Sequence, residues 1–559
     1  MKSLKKFMTA SMIIALVMTT STFSSCKKSN SDSGNIGEAT VSPKHPITIS
    51  MFCGSSTISA ATANNKIYKK IKDELGISFK IELLTGDLNQ KLGVMIASGE
   101  LPDVVNYNSE LQAADDLIPL ENKVKKYAPN IYEHYTQGNV WNMMKDSNDG
   151  HTYYLTSLGV INKNTAKTYY SGPAFWIQKQ VLAEAGYPKV TTLDQYFKLI
   201  QDWVAKHPVI DGMSTIGFET LVTPAQSFVL ENAPEHLSGH PNDGGVIVDN
   251  GIASLFQDKD ISKIYYNKLN EMYNIGIIDR ESITQNQDQY LQKIATGQVV
   301  GMFDQHWDFQ SGESVLKKDK KYGETYTPLA LTYEGVTPHY LDSPIPNLTN
   351  GFSITKNCKD TDRVLVALDK LMDEKWQKIL NWGIEGEDYS MDTSTNQPVW
   401  TEQQQTNQND SAWKAANKAE ALYSWLPKIE GEYSDGNATT LGDNSVQYKK
   451  GLSAYDKNFY AKYNVNSEYE MMGEATKNEM YYPCWNINIP SNSAASSAST
   501  AINDTEIKWL PRIISGKSSD FDRQWSDYVA EIEKDNPKAY LDAINEGIQY
   551  RIKNWDMKK

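Results

Sequence analysis

Apolar and polar positions follow a regular order in the first part of the chain. A strand is predicted in PITISMFC, a helix in NNKIYKKIKDELG and a second strand in ISFKIELL. A second helix followed by a third strand is predicted in LNQKLGVMIASGELPDVVNY. In the first helix Ile67, Ile71 and Leu75 recur at the helical spacing, and Gly76 ends it. A β-α-β-α-β order predicts an α/β lobe built on a mainly parallel sheet.

A second α/β unit is predicted to begin near residue 173. Residues 173–208 predict two helices around AGYPKVTTLDQ, with Thr192 as the N-cap of the second. Residues 363–383 carry one apolar stripe and predict a single core-facing helix. Further helices and strands are predicted in ISKIYYNKLNEMYNIGII, QYLQKIATGQVVGMF, FDRQWSDYVAEIEK and YLDAINEGIQYRIKNW.

The N-terminal residues have the pattern of an export signal. Lysines precede the apolar segment FMTASMIIALVM, so residues 1–25 predict a signal peptide. The following FSSC resembles a bacterial lipobox, although Phe23 stands where Leu is usual, and we expect Cys26 to be lipidated. The alternative is a buried or disulfide-bonded cysteine after an ordinary signal peptide. Residues 26–46 are mostly polar and predict a flexible tether.

Composition narrows the classes of function. The chain has 559 residues, 40% of them hydrophobic, which allows at least two domains. The net charge is −14 and no basic cluster persists, which argues against nucleic acid and, less strongly, against an anionic sugar. No C-x-x-C motif suggests zinc. We expect Cys53, Cys358 and Cys484 to be buried thiols, with one disulfide at most.

Tyrosine and tryptophan are unusually frequent. The 32 Tyr and 13 Trp together outnumber the 14 Phe more than threefold. Both side chains combine a flat apolar face with a polar group, which suits sugar rings because these have apolar C–H faces and polar rims. The alternative is that many of them fill cores and lobe interfaces.

Six segments carry a resemblance to a known family. They are IASGELPDVV, DGHTYYL, FWIQKQVLAEAGYPKVTTLDQYFKLI, IATGQVVGMFDQHWD, NWGIEGEDY and LPRIISGKSSDFDRQW, in this order over most of residues 47–550. In these segments the chain resembles the long branch of the family 1 extracellular solute-binding lipoproteins of bacterial ABC sugar importers. It departs from the family pattern at Thr156, where proline is usual, and this affects only the predicted local turn.

The resemblance implies an α/β, two-lobed periplasmic-binding-protein-like fold with a hinge and an interlobe ligand cleft. It implies that lobe one comprises residues 47–160 and 328–375, and that lobe two comprises residues 161–327 and 376–559. It further implies a monomeric, non-enzymatic protein on the outer face of a Gram-positive cell membrane. Such a protein captures an oligosaccharide and delivers it to ABC permease subunits, and no cofactor is implied.

Two other functions remain open. A lipid-anchored glycoside hydrolase would use an acidic pair such as Asp304 and Glu385, at a separation that the sequence does not give. A peptide-binding transport protein would need fixed charges for both peptide termini.

Loops after strands are the expected ligand contacts, because ligands of open α/β lobes sit beyond the carboxyl ends of strands. ASGELPDVV ends a helix and starts the third strand, and the resemblance implies that this loop approaches the cleft, with Asp103, Tyr107 and Asn108 as the candidates. The alternative for Asp103 is a structural role as a cap of backbone amides. DGHTYYL adds Tyr153, while Tyr154 points to the opposite face if this segment is extended.

The principal contacts are expected in FDQHWDF. Here Asp304, His306 and Asp308 alternate with Trp307 at the end of an apolar strand. One face would then present carboxylates and an imidazole, and the other an aromatic ring. The alternative is a hinge strand with salt-bridged acids.

NWGIEGEDY is a further candidate loop, in which glycines allow close approach of a ligand to the backbone. It contributes Trp382, Glu385 and Glu387, and the alternative is a loop with solvated acids. The remaining candidates for stacking on a sugar are Trp176, Trp425 and Trp485.

Metal ligation is not expected. His236 and His240 are four residues apart, but Gly239 and Pro241 argue against a helix that would bring them together. The segment DSNDG resembles part of a calcium loop, yet its glycine comes one residue too early. Some relatives in the family bind structural calcium, which therefore stays open as an alternative.

Overall fold

The computed structural model describes most of the chain after residue 38. The described residues are 39–54, 58, 60–136, 139–147, 149–158, 160–162, 168–341, 347–408, 410–474, 483–490 and 492–555. Cys26, the predicted signal peptide and most of the predicted tether lie outside them.

Strands and helices alternate along the described chain. The strands are β1 (Ile47–Cys53), β2 (Ile77–Leu83), β3 (Val104–Asn106), β4 (Leu155–Leu158), β5 (Val160–Asn162), β6 (Pro173–Gln178), β7 (Val209–Ile210), β8 (Met213–Ser214), β9 (Ile216–Glu219), β10 (Ile247–Asp249), β11 (Ile252–Ser254), β12 (Val299–Gln305), β13 (Tyr326–Leu329), β14 (Asn347–Ile354), β15 (Ser390–Asp392), β16 (Gln397–Val399) and β17 (Ile429–Gly431). The helices are α1 (Lys66–Leu75), α2 (Leu88–Ser98), α3 (Ser109–Ala113), α4 (Glu121–Tyr127), α5 (Pro129–Thr136), α6 (Val140–Met143), α7 (Lys179–Glu184), α8 (Leu193–Lys206), α9 (Phe228–Glu231), α10 (Ala233–Leu237), α11 (Asp260–Asn274), α12 (Gln287–Thr296), α13 (His306–Lys318), α14 (Thr361–Lys370), α15 (Glu374–Asn381), α16 (Glu402–Asn407), α17 (Ser411–Asn417), α18 (Glu420–Trp425), α19 (Ser445–Gly451), α20 (Ala454–Lys462), α21 (Glu468–Met471), α22 (Ala494–Ser515), α23 (Phe521–Ile532) and α24 (Pro537–Asn554).

The first sheet has the strand order β2-β1-β3-β14-β4. β1 pairs in parallel with β2 and β3, whereas β14 runs antiparallel to β3 and β4. α1 begins after Asn65, whose side chain accepts hydrogen bonds from the amides of Ile67 and Tyr68, and it ends at Gly76 with a φ of 73°. The predicted β-α-β-α-β order is confirmed.

The second sheet has the strand order β13-β6-β12-β9. β6 is antiparallel to β12 and β13, and β12 is parallel to β9. The prediction of helix at the start of residues 173–208 is wrong, because Pro173–Gln178 forms strand β6. All six residues of β6 are buried, so the segment lacks the alternation that marks a half-exposed strand. α8 confirms the second predicted helix, and Thr192 forms a capping box with Gln195.

The single helix predicted over residues 363–383 is two helices. α14 ends at Lys370 and α15 begins at Glu374. The Asp373 side chain accepts a hydrogen bond from the amide of Lys375 at 2.9 Å, and this cap starts the second helix. The apolar face of α15 is buried, as the stripe predicted.

The two largest hydrophobic cores of the described residues accompany these two sheets. The first core contains side chains of the first sheet together with Trp376, Leu422 and Leu441. The second core contains side chains of the second sheet and α11, and it resumes along the chain at Phe459. The expected assignment of residues 376–559 to lobe two is therefore corrected, because the side chains from α15 to Leu441 pack in the first core.

The chain passes between the two sheets more than once. It leaves the first sheet after β4, returns from β13 to β14, and passes to the second core again after Leu441. β17 pairs in parallel with β5, with Ile429 opposite Val160, close to the first of these passages. Each half of the fold is thus built from separate stretches of sequence.

Two further expectations concern the membrane and the thiols. Within the described ranges, no helix has both the length and the apolar character needed to cross a bilayer. Cys53, Cys358 and Cys484 are buried and form no disulfide with one another, as expected.

Gly76→Ala and Gly99→Ala form a matched test of the packing at the end of α1. Both glycines end helices with positive φ, so alanine costs about 1–2 kcal/mol in backbone conformation at either position. A Cβ at Gly76 would also collide with the carbonyl group of Ser42, whereas one at Gly99 would meet nothing within 4 Å. We expect Gly76→Ala to lower the free energy of unfolding in urea by about 2 kcal/mol more than Gly99→Ala. Equal losses would contradict this packing.

Candidate functional site

The carboxyl ends of two parallel strands meet at one edge of the second sheet. β9 and β12 pair in parallel, with Gly301 opposite Phe218. β9 leads to α9 and β12 leads directly into α13. Because ligands of open α/β sheets bind beyond such strand ends, this edge is the expected position of a site in the second half of the fold.

A pocket of about 550 Å³ lies at this edge. Its lining combines aromatic rings, side-chain amides, two glycines and two carboxyl groups. The described lining residues are Phe228, Glu231, Asn232, Asn242, Gly244, Gly245, Phe256, Gln257, Gln305, Trp307, Trp485, Ser499, Ile502, Asn503, Glu506 and Tyr540. Flat apolar surfaces next to hydrogen-bonding groups are typical of sites for small ligands that are partly polar.

Trp307 lies in the first turn of α13 and is 49% exposed. Its indole N–H donates a hydrogen bond to Gln305 Oε1 at 2.6 Å, and its ring centroid lies 5.4 Å from that of Phe228. These two contacts orient the indole at the wall of the pocket while half of its surface stays open to solvent.

Trp485 provides a second open ring. It lies in a short 3₁₀ turn, Cys484–Asn486, and is 50% exposed. Gly244 has a φ of 70°, and a Cβ added there would come within 2.7 Å of Trp485 Cβ. Gly244 is therefore required both by the backbone conformation and by the close approach of the tryptophan.

Glu231 and Glu506 are the two acids of the pocket lining. Glu231 ends α9, and burial raises its pKa to about 7, although a hydrogen bond with Ser227 opposes the shift. Glu506 lies on α22, and burial together with the nearby charge of Glu231 raises its pKa well above the usual range. Burial thus raises the pKa of both carboxyl groups of the pocket lining.

FDQHWDF does not present its acids and imidazole on one strand face, because α13 begins at His306. The Asp304 side chain is fully buried and accepts a hydrogen bond from the Tyr290 hydroxyl at 2.6 Å. Trp176 is also fully buried, and its indole N–H donates to the Asp304 carbonyl at 2.8 Å. The expectation that Asp304 and Trp176 contact a ligand is therefore corrected, because these contacts join β6, β12 and α12.

His306 and Asp308 are buried as well. His306 Nε2 lies 2.9 Å from Glu313 Oε2, and Asp308 accepts a hydrogen bond from Gln287 Nε2 at 2.8 Å. Neither belongs to the described lining of the pocket, whereas Trp307 between them does. The helical turn separates side chains that an extended strand would have grouped by face.

The candidates beside β3 make structural contacts. Asp103 accepts hydrogen bonds from the backbone amide and the hydroxyl of Ser50, at 2.8 Å and 2.6 Å, and so ties the start of β3 to β1. Asn108 caps α3 by accepting a hydrogen bond from the amide of Glu110 at 2.8 Å. Asp103 therefore has the capping role that was its alternative.

The tyrosines near the first sheet also have defined partners. Tyr107 stacks on Tyr154 with ring centroids 4.2 Å apart, and its hydroxyl donates to Gln112 Oε1 at 2.9 Å. Tyr153 is half-buried and donates its hydroxyl to Asp149 Oδ2 at 2.8 Å, whereas Tyr154 belongs to the first core. The two neighbours diverge, as expected for an extended segment.

The remaining candidates lie beside the first core. Trp382 is 1% exposed and donates its indole N–H to a backbone carbonyl, so its expected contact with a ligand is corrected. Glu385 and Glu387 are exposed on the following loop. Trp425 is half-buried near the carboxyl end of β1, where its indole nitrogen lies 2.8 Å from Cys53 Sγ.

No group of three or more His, Cys, Asp or Glu side chains could hold a metal ion within the part of the chain that the structure describes. His236 is buried against Tyr340, with ring centroids 4.8 Å apart, and burial lowers its pKa to about 3. α10 ends at Leu237, so His236 and His240 do not share a helix. The DSNDG segment contains Asn148, which lies outside the described residues.

A comparison of sequences decides the family. The family profile described as bacterial extracellular solute-binding protein matches residues 54–378, more than half of the chain. The chain belongs to this family. A curated relative, the fructooligosaccharide ABC transporter substrate-binding protein FusA of Streptococcus pneumoniae, is 22% identical to this solute-binding protein over 264 residues. The match covers 44% of this chain, which spans only 47% of the length of that relative.

Solved structures share the fold of this solute-binding protein. The S. pneumoniae FusA structure in complex with kestose has a TM-score of 0.62 at 17% identity and covers 91% of this chain and 100% of its own. An extracellular solute-binding protein from Bifidobacterium longum subsp. infantis has a TM-score of 0.66 at 16% identity and covers 91% and 99%. The two-lobed α/β fold that the resemblance implied is confirmed.

Most lining residues of the pocket were missed from the sequence. The sequence does contain one indication of Glu506, because this acid interrupts an apolar face of α22 between Ile502 and Leu510 at a spacing of four residues. An acid on the buried face of a helix indicates a polar site or a paired charge. Glu231 and Asn503 carried no comparable signal, because only the tertiary structure brings α9 and α22 together.

Fully buried and half-exposed tryptophans should differ in how much they contribute to the stability of the fold. We expect Trp176→Ala and Trp382→Ala each to lower the free energy of unfolding by about 3–5 kcal/mol, because both indoles are fully buried. Trp307→Ala and Trp485→Ala should each change it by no more than about 0.5 kcal/mol, since both rings are half exposed. Urea denaturation of the four variants measures the difference, and a large loss for Trp307→Ala would mean that its ring is part of the core.

Proposed function

We propose that this solute-binding protein captures an oligosaccharide in the pocket beside the carboxyl ends of β9 and β12, with Trp307 as the main stacking surface. The observation that carries the proposal is the pocket in which Trp307 and Trp485, both about half exposed, stand beside amides and carboxyls. Sugar rings have C–H faces that can cover an indole and hydroxyls that need hydrogen-bond partners. The pocket offers both kinds of surface together.

The amide side chains of the lining support a ligand rich in hydroxyl groups. Asn232, Asn242, Gln257 and Asn503 can each donate and accept hydrogen bonds, and so can a sugar hydroxyl. The names of the relatives support the same class of ligand, since FusA is a fructooligosaccharide-binding protein and one FusA structure contains kestose.

Binding without bond cleavage is the proposed activity, and it requires no cofactor. Asp304 of the alternative hydrolase pair is buried against Tyr290, whereas Glu385 is exposed on the loop after α15. Two catalytic carboxyls would have to face one glycosidic bond across about 5–10 Å. A peptide ligand would need a cation for its carboxylate terminus, and no Lys, Arg or His is among the described lining residues.

We further infer that the protein works as a lipid-anchored monomer on the outer face of a Gram-positive cell membrane. Cys26 would carry the lipid, and residues 27–46 would let the lobes reach ABC permease subunits that accept the sugar. Closure of the lobes over the ligand would present one composite surface to these subunits.

A thermal-shift screen with a panel of neutral oligosaccharides, including kestose, tests the ligand class. A ligand that binds only the folded protein raises its melting temperature by mass action. For the sugar with the largest shift, we expect Trp307→Ala to raise the Kd measured by calorimetry about 30-fold, equivalent to about 2 kcal/mol.

Trp413→Ala is the matched control, because Trp413 lies on α17 outside the pocket lining. Its Kd should stay within about twofold of the wild-type value. Sugars that cause no shift, or equal losses in the two variants, would argue against the proposal. Release of shorter products from the bound sugar would argue for the hydrolase instead.

Cys26→Ala tests the anchor in a bacterial host that processes lipoproteins. The wild-type chain should partition into the membrane fraction and incorporate a clickable palmitate analogue, because two acyl chains hold a protein stably on a bilayer. The variant should lose the label and appear in the soluble fraction. Cys53→Ala is the control and should keep both label and membrane association, since Cys53 is buried in β1.

A further inference from the structure

Gln305 is the last residue of β12, and it lines the pocket next to Trp307. Its backbone pairs with that of Pro173 in β6, and its backbone N–H donates to Asp304 Oδ1 at 2.6 Å. Gln305 also occupies the N-cap position of α13, yet its side chain makes no capping hydrogen bond there. The main chain of Gln305 is therefore fixed by the second sheet, while its side chain does not serve the helix.

The Gln305 side chain holds the indole of Trp307 instead. Trp307 Nε1 donates to Gln305 Oε1 at 2.6 Å, across the junction between β12 and α13. The Phe228 ring of α9 packs against the same indole, with ring centroids 5.4 Å apart and ring planes 35° apart. One hydrogen bond and one ring contact thus restrain a side chain that is 49% exposed and would otherwise rotate in solvent.

The same contact fixes which way the Gln305 side-chain amide is turned. An indole nitrogen is a hydrogen-bond donor only, so the atom beside it has to be the amide oxygen of Gln305. The amide nitrogen Nε2 lies on the other branch of the same planar group, and it donates to no described residue. Because Gln305 lines the pocket, an N–H donor without a described partner stands beside the exposed indole.

We propose that Gln305 is a positioning residue that holds the Trp307 indole as a fixed stacking surface and donates a hydrogen bond from Nε2 to the sugar unit on that ring. This inference rests on the proposed capture of an oligosaccharide. A ring that is oriented before binding loses less conformational freedom when a sugar covers it, so the preformed hydrogen bond raises affinity. The donor requires an acceptor oxygen at the edge of the stacked unit, and a sugar hydroxyl, ring oxygen or glycosidic oxygen supplies one.

Two substitutions separate the two roles of Gln305. Gln305→Glu keeps an oxygen for the indole N–H but has no nitrogen to donate, whereas Gln305→Leu has neither group. The ligand is kestose, or the panel sugar with the largest thermal shift if that is a different one, and its Kd is measured by calorimetry. We expect Gln305→Leu to raise this Kd about 20-fold and Gln305→Glu to raise it only about threefold.

The orientation of the indole is measured without any ligand, by fluorine NMR of protein labelled with fluorotryptophan. The resonance of Trp307 is assigned by its disappearance in Trp307→Phe. In Gln305→Glu it should stay close to its wild-type position, because the indole N–H keeps its acceptor. In Gln305→Leu it should move towards the position of free fluorotryptophan, since an exposed ring without this bond changes rotamer within nanoseconds and its shift averages.

Gln310→Leu is the matched control. Gln310 is an exposed residue of α13 outside the described pocket lining, and its Nε2 donates to the backbone carbonyl of Trp307 at 3.2 Å without contact to the indole nitrogen. This variant should keep the Kd within about twofold of the wild-type value and leave the Trp307 resonance in place. Urea denaturation of each variant checks that a changed Kd does not come from a loss of folded protein.

The outcomes separate the inference from the proposed function. If Gln305→Leu keeps the wild-type Kd or the wild-type resonance, the positioning role fails while the function stands. It also fails if Gln305→Glu keeps the resonance but binds as weakly as Gln305→Leu, because orientation then adds no affinity. A wild-type Kd in Gln305→Glu would overturn the donation from Nε2. If no sugar of the panel binds, the proposed function and the donation both fail, and the ligand-free resonances still decide whether Gln305 holds the indole.

Discussion

The parallel pairing of β9 with β12 is the constraint on which the candidate site depends. It brings two carboxyl strand ends to one edge of the second sheet, although they lie far apart in sequence. α9 then carries Glu231 to the edge, and the start of α13 carries Trp307. The pocket exists because a parallel register places both connections on the same side of the sheet.

Two buried carboxyl groups near this edge, those of Asp304 and Glu506, have different surroundings. Asp304 is fully buried, but the Tyr290 hydroxyl and the backbone amide of Gln305 each donate to one of its oxygens, so it serves the contact of β12 with α12. Glu506 is similarly buried and belongs to the pocket lining, and its Oε1 lacks a described partner. Position in the pocket lining, rather than residue type, separates Glu506 from Asp304.

Local patterns predicted the secondary structure where one face of an element is exposed. The alternation in β1 and β2, the caps of α1 and α8 and the apolar face of α15 follow directly from side-chain spacing. β6 was mistaken for helix because both of its faces are buried, which removes the period of two. The turn into α13 likewise changed which side chains of FDQHWDF share a face.

By itself the sequence determined the α/β class, the positions of the clearly amphipathic helices and strands, the abundance of Tyr and Trp, and a family resemblance that the profile match confirmed. These depend on spacing and composition, which are local properties. Only the tertiary structure decided that Trp176 and Trp382 are buried while Trp307 and Trp485 are open. The same holds for the placement of Glu231 and Glu506 in one pocket lining, because solvent exposure and side-chain neighbours arise from contacts between distant segments, which no local pattern encodes.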